Sequence, residues 1–427
     1  MSEKEQKNDE CNHARSRSLI HRLGSLSLLE RIIIWVFLAV IAFVLVLVML
    51  TIGGGSNILA GDAQPLNKTA TALTIIGGIG AVGYLVIKYQ ERAAAEREEQ
   101  RQVAKQEIND ILTAVRLLGD DKPSTRIAGV QYLVRAGQSW PYTRQQIIDI
   151  LCGYLRTTRE DDGPVELTIL KAIRDHLTQF SNDTAASFHQ SSYWENIDLD
   201  LHGSNICEQL DFEGITCNKL NLSYADLPEN GITSFDHSTI NIATFKGMSG
   251  KCATSFRSAH FSGPVDFSDM NLSDADFTKS IIVEATFEES ILRKAKFCET
   301  NLANTNFTYA RLKNADFTHA NLSNANFSHV TLQNADFSRS TLADVNMIMA
   351  TLQSVNFEQT NMENVDCFGS IFTDVQLPLA TLNGVNFSSA DLTGIDDFSV
   401  VSEPIDVLYE KQRIHDTKEL QLLVKKR

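Results

Sequence analysis

The chain has 427 residues, enough for two or three folding units, and a formal net charge of −15. That charge argues against a general nucleic-acid binder, which needs clustered Lys and Arg to face phosphates. Seven cysteines, an odd number with no C-x-x-C pair, argue against a disulfide framework or a zinc site and fit a reduced, cytosolic setting.

Residues 1–30 are polar and read as a disordered N-terminal tail. Residues 31–52 contain the uncharged run Ile32 to Ile52, long enough to cross a hydrocarbon core of about 30 Å, and are predicted as a first transmembrane helix. A cleaved signal peptide is the competing reading, against which stand the polar leader and the length of the run. Residues 53–68 follow as a short extracytoplasmic loop, and 69–88 as a second transmembrane helix. Gly78, Gly80 and Gly83 spell a dinucleotide fingerprint, but no strand precedes them and no suitably placed acid follows. Gly77, Gly80 and Gly83 read instead as small residues that let two membrane helices pack closely. Lys4, Lys7, Arg15, Arg17, Arg22 and Arg31 precede the first run, and Lys88, Arg92, Arg97, Arg101 and Lys105 follow the second; the loop holds only Lys68. The positive-inside rule then predicts a multi-pass cell-membrane protein in contact with lipid, with both termini in the cytoplasm.

Residues 89–118 read as a connecting helix. Opposite charges lie three and four apart, and Val103, Ile108, Leu112 and Val115 recur at helical spacing. A solvated face is the plain reading of the charges; a coiled coil joining a homo-oligomer is the alternative. Residues 119–190 are predicted as a small helical unit. It would start at Asp121-Lys-Pro123, continue in a second helix capped by Thr143, and end in a third over Val165 to Leu177.

From residue 265 to 394 a large apolar residue recurs at every fifth position. The regular members are Phe267, Leu272, Phe277, Phe287, Leu292, Phe297, Leu302, Phe307, Leu312, Phe317, Leu322, Phe327, Leu332, Phe337, Leu342, Leu352, Phe357, Phe387 and Leu392, with Ile, Met, Cys, Leu or Phe at the remaining steps. Two residues before nearly every one stands a small residue, and between them often Asp or Asn. On an α-helix five residues advance by about 140°, so the apolar residues would spiral around the axis. On a flat strand they would alternate faces. Both objections vanish if the chain turns a corner once per repeat. The alternation of Phe with Leu or Ile makes the pattern repeat every ten residues, so a four-sided coil of twenty stacks like on like. Cys367 breaks its ladder beside Phe372, which is oversized for a Leu position, and volume compensation between the two is expected. Upstream, Cys207, Phe212, Cys217, Leu222 and Leu227 keep the phase. It then slips, so a loop or irregular coil is expected between about 228 and 266.

Ala315-Asp-Phe-Thr-His, Ala320-Asn-Leu-Ser-Asn, Ala325-Asn-Phe-Ser-His and Ala335-Asp-Phe-Ser-Arg resemble the A-[DN]-[LF]-x-x signature of pentapeptide-repeat proteins. The segments 117–137 and 147–156 resemble the helical stretch that precedes the repeats in many bacterial membrane members. The resemblance implies a right-handed quadrilateral β-helix over 191–398. A solenoid leaves open edges at both ends, so the helical unit is expected to cover one and a helix within 399–427 the other. The predicted class is thus a two-helix membrane hairpin, a helical linker and an all-β solenoid.

Chemistry is not signalled. His319 and His329 fall on opposite sides of a four-sided coil, Asp316 and Asp336 read as polar wall, and no nucleophile elbow, P-loop or H-E-x-x-H occurs. No catalytic residue, cofactor or metal is predicted. The expected function is a non-catalytic interaction scaffold at the membrane's cytoplasmic face, with protein partners and no direct nucleic-acid contact. The alternative is an acidic DNA mimic that binds a DNA-handling protein such as a topoisomerase. Residues 301–345, with three acids and three bases, weigh against it. A transport or sensing role finds no intramembrane charge to serve it.

Overall fold

The computed structural model describes residues 37–38, 40–41, 44–45, 48, 65–157, 162–179, 193–228, 231–250, 253–395, 398, 401–410 and 412–425. Two compact units divide the chain, residues 1–106 and 107–427.

The expected two-helix membrane hairpin is overturned: among the described residues no helix is long and apolar enough to cross a membrane. Residues 69–88 instead open α1, Pro65–Leu118, a single helix of 54 residues. The helix does not end at Lys88 but continues into the charged segment beyond it, so the uncharged stretch is not an element of its own. Of the run 31–52, Phe37, Leu38, Val40, Ile41, Val44, Leu45 and Val48 are described, helical and exposed. The rest of that run, the tail 1–30 and the loop 53–64 lie outside the described residues.

In the second unit three helices follow the end of α1: α2 (Pro123–Ser139), α3 (Arg144–Leu155) and α4 (Gly163–Leu177). Proline at the start of α2 and α4 suits a first turn whose N–H groups have no helical partner. Thr143 does not cap α3; its hydroxyl donates to the Trp140 carbonyl at 2.8 Å. Val130, Leu133, Ile147, Leu151, Ile169 and Ile173 form the buried interior. Two glycines permit the close packing. A Cβ on Gly129 would lie 2.7 Å from the Leu118 backbone nitrogen, and one on Gly137 would lie 2.6 Å from the Trp194 ring. Inside the unit Arg126 donates to Asp162 at 2.7 Å and to the Asp120 and Asp121 carbonyls, and Tyr154 donates to the other Asp162 oxygen. The buried charge is therefore both paired and hydrogen-bonded, as burial requires.

The solenoid begins at β1, Asp198–Asp200. In its first coils parallel partners are 21 to 23 residues apart, as in Asp198 with Lys219, Thr216 with Thr239 and Ala243 with Val265. The phase slip between 228 and 266 is thus an irregular coil with extra residues at its corners, and the ladder continues through it. From residue 266 the spacing is twenty. Four bridge ladders run upward, such as Asp266–Thr286–Asn306–Asn326 and Asp276–Lys296–Asp316–Asp336. Four ladders of bridges define four faces. They are named here by the apolar residue each turns inward: the first by Phe267, the second by Leu272, the third by Phe277 and the fourth by Ile282.

Both ends of the ladder are covered. At the lower end the Gln145 side chain on α3 accepts from the Asp198 N–H at 2.9 Å and donates to its carbonyl at 2.8 Å, so one amide replaces the missing strand. At the upper end the structure places strands where the sequence reading expects a helix: Ser402–Tyr409 pairs parallel with Thr381–Asn386, Gln412–Ile414 pairs back antiparallel, and a short helix, Thr417–Lys425, follows. Ile405, Val407 and Tyr409 alternate inward at a strand's period of two.

Candidate interaction surface

Each repeat uses its five positions in a fixed way. In Ala315-Asp-Phe-Thr-His, Ala315 and Phe317 are buried, Asp316 and Thr318 are partly covered and His319 is exposed. The Ala320 N–H donates to the Phe317 carbonyl at 3.0 Å and closes the corner, with His319 left-handed at φ +58°. The Asp316 carboxylate accepts from the Thr318 N–H at 2.9 Å. Asp336, Asn326, Asn346, Asn356 and Asp366 make the same bond two residues ahead. This is why Asp and Asn recur before the large residue: they hold the corner. Asp316 and Asp336 are therefore wall fasteners. Ser or Thr at the small position is satisfied likewise; Ser290 and Ser340 donate to the Phe287 and Phe337 carbonyls at 2.6 Å.

The structure brings the ladder residues together inside. Phe267, Phe287, Phe307 and Phe327 stack with centroids 4.7–5.0 Å apart, and Phe277, Phe297, Phe317, Phe337 and Phe357 stack at 4.7–5.2 Å. The two columns meet edge to face. Leu272, Leu292, Leu302, Leu312, Leu322, Leu332, Leu342, Leu352 and Leu392 are buried between them, as is Phe387. Phe235, Phe245 and Phe256 extend the columns downward, although the sequence reading placed them in the slipped region. Their signal was present in their spacings to Phe267 and Phe277, which exceed twenty only by one or two residues. Where Cys367 is small, Phe372 turns its ring edge onto Phe387 at 5.6 Å. Gly77 and Gly80 have no described atom within 4 Å of where a Cβ would stand, and Gly83 is buried.

Among the described residues no group of three His, Cys, Asp or Glu is arranged for a metal ion. Burial pushes the Cys152 and Cys217 thiols up to about 12 and raises Cys367 as well, away from nucleophilic thiolates. A shallow groove of about 430 Å³ beside Tyr193, Glu195, Asn218 and Asn241 is lined by one carboxylate, amides, hydroxyls and the Cys217 thiol.

What the fold does present is a wall sorted by charge. Between residues 265 and 395 the Lys and Arg residues are Lys279, Arg293, Lys294, Lys296, Arg311, Lys313 and Arg339. In the twenty-residue register all of them fall on the second and third faces. The first and fourth carry Asp266, Asp269, Glu284, Glu288, Glu289, Asp344, Glu363 and Asp366 with no base. Cross-coil ion pairs tie the mixed faces: Lys279 with Glu299 at 3.7 Å, Lys296 with Asp276 at 3.7 Å and Lys294 with Asp274 at 4.0 Å.

Residues 254–293 match a model of pentapeptide repeats in eight copies, and residues 282–346 and 310–387 match that of a pentapeptide repeat region. The chain is a pentapeptide-repeat protein. Among solved pentapeptide-repeat structures it is similar to HetL, involved in heterocyst differentiation regulation in the cyanobacterium Nostoc sp. strain PCC 7120. The identity is 21%, over 47% of this chain and 89% of that one, with a TM-score of 0.24. It is similar to full-length QnrB1, a plasmid-mediated fluoroquinolone resistance protein, at 17% identity over 49% and 98% with a TM-score of 0.21. A pentapeptide repeat protein of the Arabidopsis thaliana thylakoid lumen is 31% identical over 26% of this chain and 70% of its own, with a TM-score of 0.12. No curated protein matches the chain.

Proposed function

We propose that this pentapeptide-repeat solenoid is a non-catalytic scaffold that binds protein partners along its faces. The observation that carries the reading is the division of the wall: two faces hold acids without bases, and two hold every Lys and Arg of the regular coils. A rigid core that stacks like on like turns this sequence register into a fixed charge pattern, and patterned charge sets partner choice and encounter rate. Crosslinking in intact cells, with the full chain and with a chain lacking residues 191–398, tests it. Partners lost with the solenoid support the scaffold; an identical partner set contradicts it.

DNA mimicry draws on the same two acidic faces. Duplex DNA presents a charge about every 1.7 Å along its axis. On the first face the acids stop after Glu289, and Asn306, Thr308, Tyr309, Asn326, Ser328 and His329 follow before Asp366. The interruption spans several coils at about 4.8 Å each. The scaffold reading therefore stands ahead, and full activity of gyrase supercoiling in the presence of the chain is the expected result.

A further inference from the structure

Ion pairing on the regular solenoid follows a rule with a local exception. Lys279, Lys294 and Lys296 each meet an acid one coil away. Arg339 donates to Gln359, again one coil away, at 3.1 Å. On the second face, where Lys294 pairs with Asp274, three other cations break the rule. Arg293 lies below Lys313 at the same step of consecutive coils, and Arg311 lies between Ile291 and Thr331. The strands that carry them are locked together: Leu292 N–H donates to the Arg311 carbonyl at 2.9 Å, and Lys294 N–H to the Lys313 carbonyl at 2.8 Å. Among the described residues Arg293, Arg311 and Lys313 have no carboxylate partner, and Arg293 and Arg311 are exposed. Like charges directly opposite on neighbouring strands oppose folding. The solenoid therefore carries an uncompensated cation patch on a chain that is otherwise strongly acidic.

A second feature borders this patch. At the corner between the first and second faces the exposed position carries Tyr309, then His329, then Met349, then Gly369. The Tyr309 and His329 rings stack at 5.0 Å. Tyr309 is 53% exposed, Met349 49% and Phe368 41%. Gly369 extends the rail: a Cβ there would stand 2.9 Å from the Met349 sulfur, so its absence leaves room for the thioether beside Phe368. Elsewhere these corners carry mainly Asn, Asp, Glu or Lys. Tyr309 is two residues from Arg311, so the rail starts beside the cations.

We propose that the patch Arg293, Arg311 and Lys313, with the rail Tyr309, Met349 and Phe368, docks an acidic protein segment that carries apolar side chains. Charge complementarity selects the occupant. The cations need carboxylates, and the rail needs apolar groups in line with them. A nucleic acid fits poorly: the cluster spans two coils, about 5 Å apart. Phosphate-driven binding gathers many cations over a longer stretch than this. The inference rests on the scaffold reading and deepens it by naming a face and a partner chemistry.

Fluorescence anisotropy on the full chain tests it. The probe is a short labelled peptide of glutamates around a central Leu-Phe pair, with a single-stranded oligonucleotide alongside. The expected result is peptide binding that weakens with added salt and falls about tenfold or more in Arg293→Glu/Arg311→Glu/Lys313→Glu. Tyr309→Ala/Phe368→Ala is expected to weaken it several-fold. The single change Arg293→Glu separates binding from folding. It restores a cross-coil pair with Lys313, so its melting temperature is expected to rise while its peptide affinity falls. Affinity unchanged by the reversals, or tighter binding of the oligonucleotide, overturns the proposal. In cells, partners that need residues 191–398 yet survive the triple reversal sink this surface and leave the scaffold; partners indifferent to the deletion sink both.

Discussion

At every fifth residue from Asp269 to Ser389 the backbone is left-handed, with φ between +52° and +68°. An L-residue in that region costs about 1–2 kcal/mol; Asn and Asp tolerate it best, and glycine freely. The sequence obeys this limit: between 269 and 389 no Val, Ile or Thr occupies the position. Leu379, 57% exposed at φ +58°, is the least suited occupant and buries little in return. Leu379→Asn is predicted to stabilise the chain by about 0.5–1 kcal/mol, and Asn324→Val to destabilise it by about 1–2 kcal/mol, both read from urea unfolding. Thiol chemistry is a second check at this scale. Cys152, Cys217 and Cys367 are buried with raised pKa values, while Cys207 is exposed. Native protein at pH 8 should be alkylated at Cys207 and spared at the buried three until denaturant is added, with peptide mapping as the readout. Burial and neighbouring carboxylates also raise Cys207, so its rate should still be climbing above pH 8.

Single elements decide how the solenoid ends. Gln145 supplies one donor and one acceptor to Asp198, the groups that an absent coil leaves open. Gln145→Ala is predicted to cost about 1–3 kcal/mol, seen as early hydrogen exchange in the first coil. Glu166 on α4 accepts from the Glu208 N–H at 2.7 Å while burial raises its pKa. A carboxyl raised in the folded state contributes stability that is present below the unfolded value near about 4.3 and lost as pH rises through the folded one. Glu166→Gln should therefore flatten the decline in stability across that window. The element scale is also where sequence reading is weakest. A period of five over more than a hundred residues admits one solution, whereas Ile405-Asp-Val-Leu-Tyr409 is too short to show its period clearly. The open strand Thr381–Asn386 draws it into the sheet. Residues 69–88 show a related limit: an uncharged stretch has no stop signal at Lys88, and the structure runs it on into the charged part of α1. The acidic and basic faces were legible from the register, but the unpaired cations on the second face became visible only once partners one coil apart were known.

For the whole solenoid, the twenty-residue coil converts sequence into surface. Each buried Phe contributes about 1.5–3 kcal/mol before chain entropy is counted, and each aromatic pair about 0.5–1.5 more. Stacking is therefore strong enough to hold the register and, with it, the sorting of charge among four faces. Thermal unfolding of two deletions tests this most directly. Removing Phe307–Asn326 takes out one full coil and sets Phe327 on Phe287. Removing Phe307–Asn321 takes out three sides and sets Leu322 there instead, with every face above turned by a corner. The account predicts that the twenty-residue deletion melts cooperatively near the parent and the fifteen-residue deletion at least about 10 °C lower. Equal melting of the two, or greater stability of the shorter deletion, would contradict it.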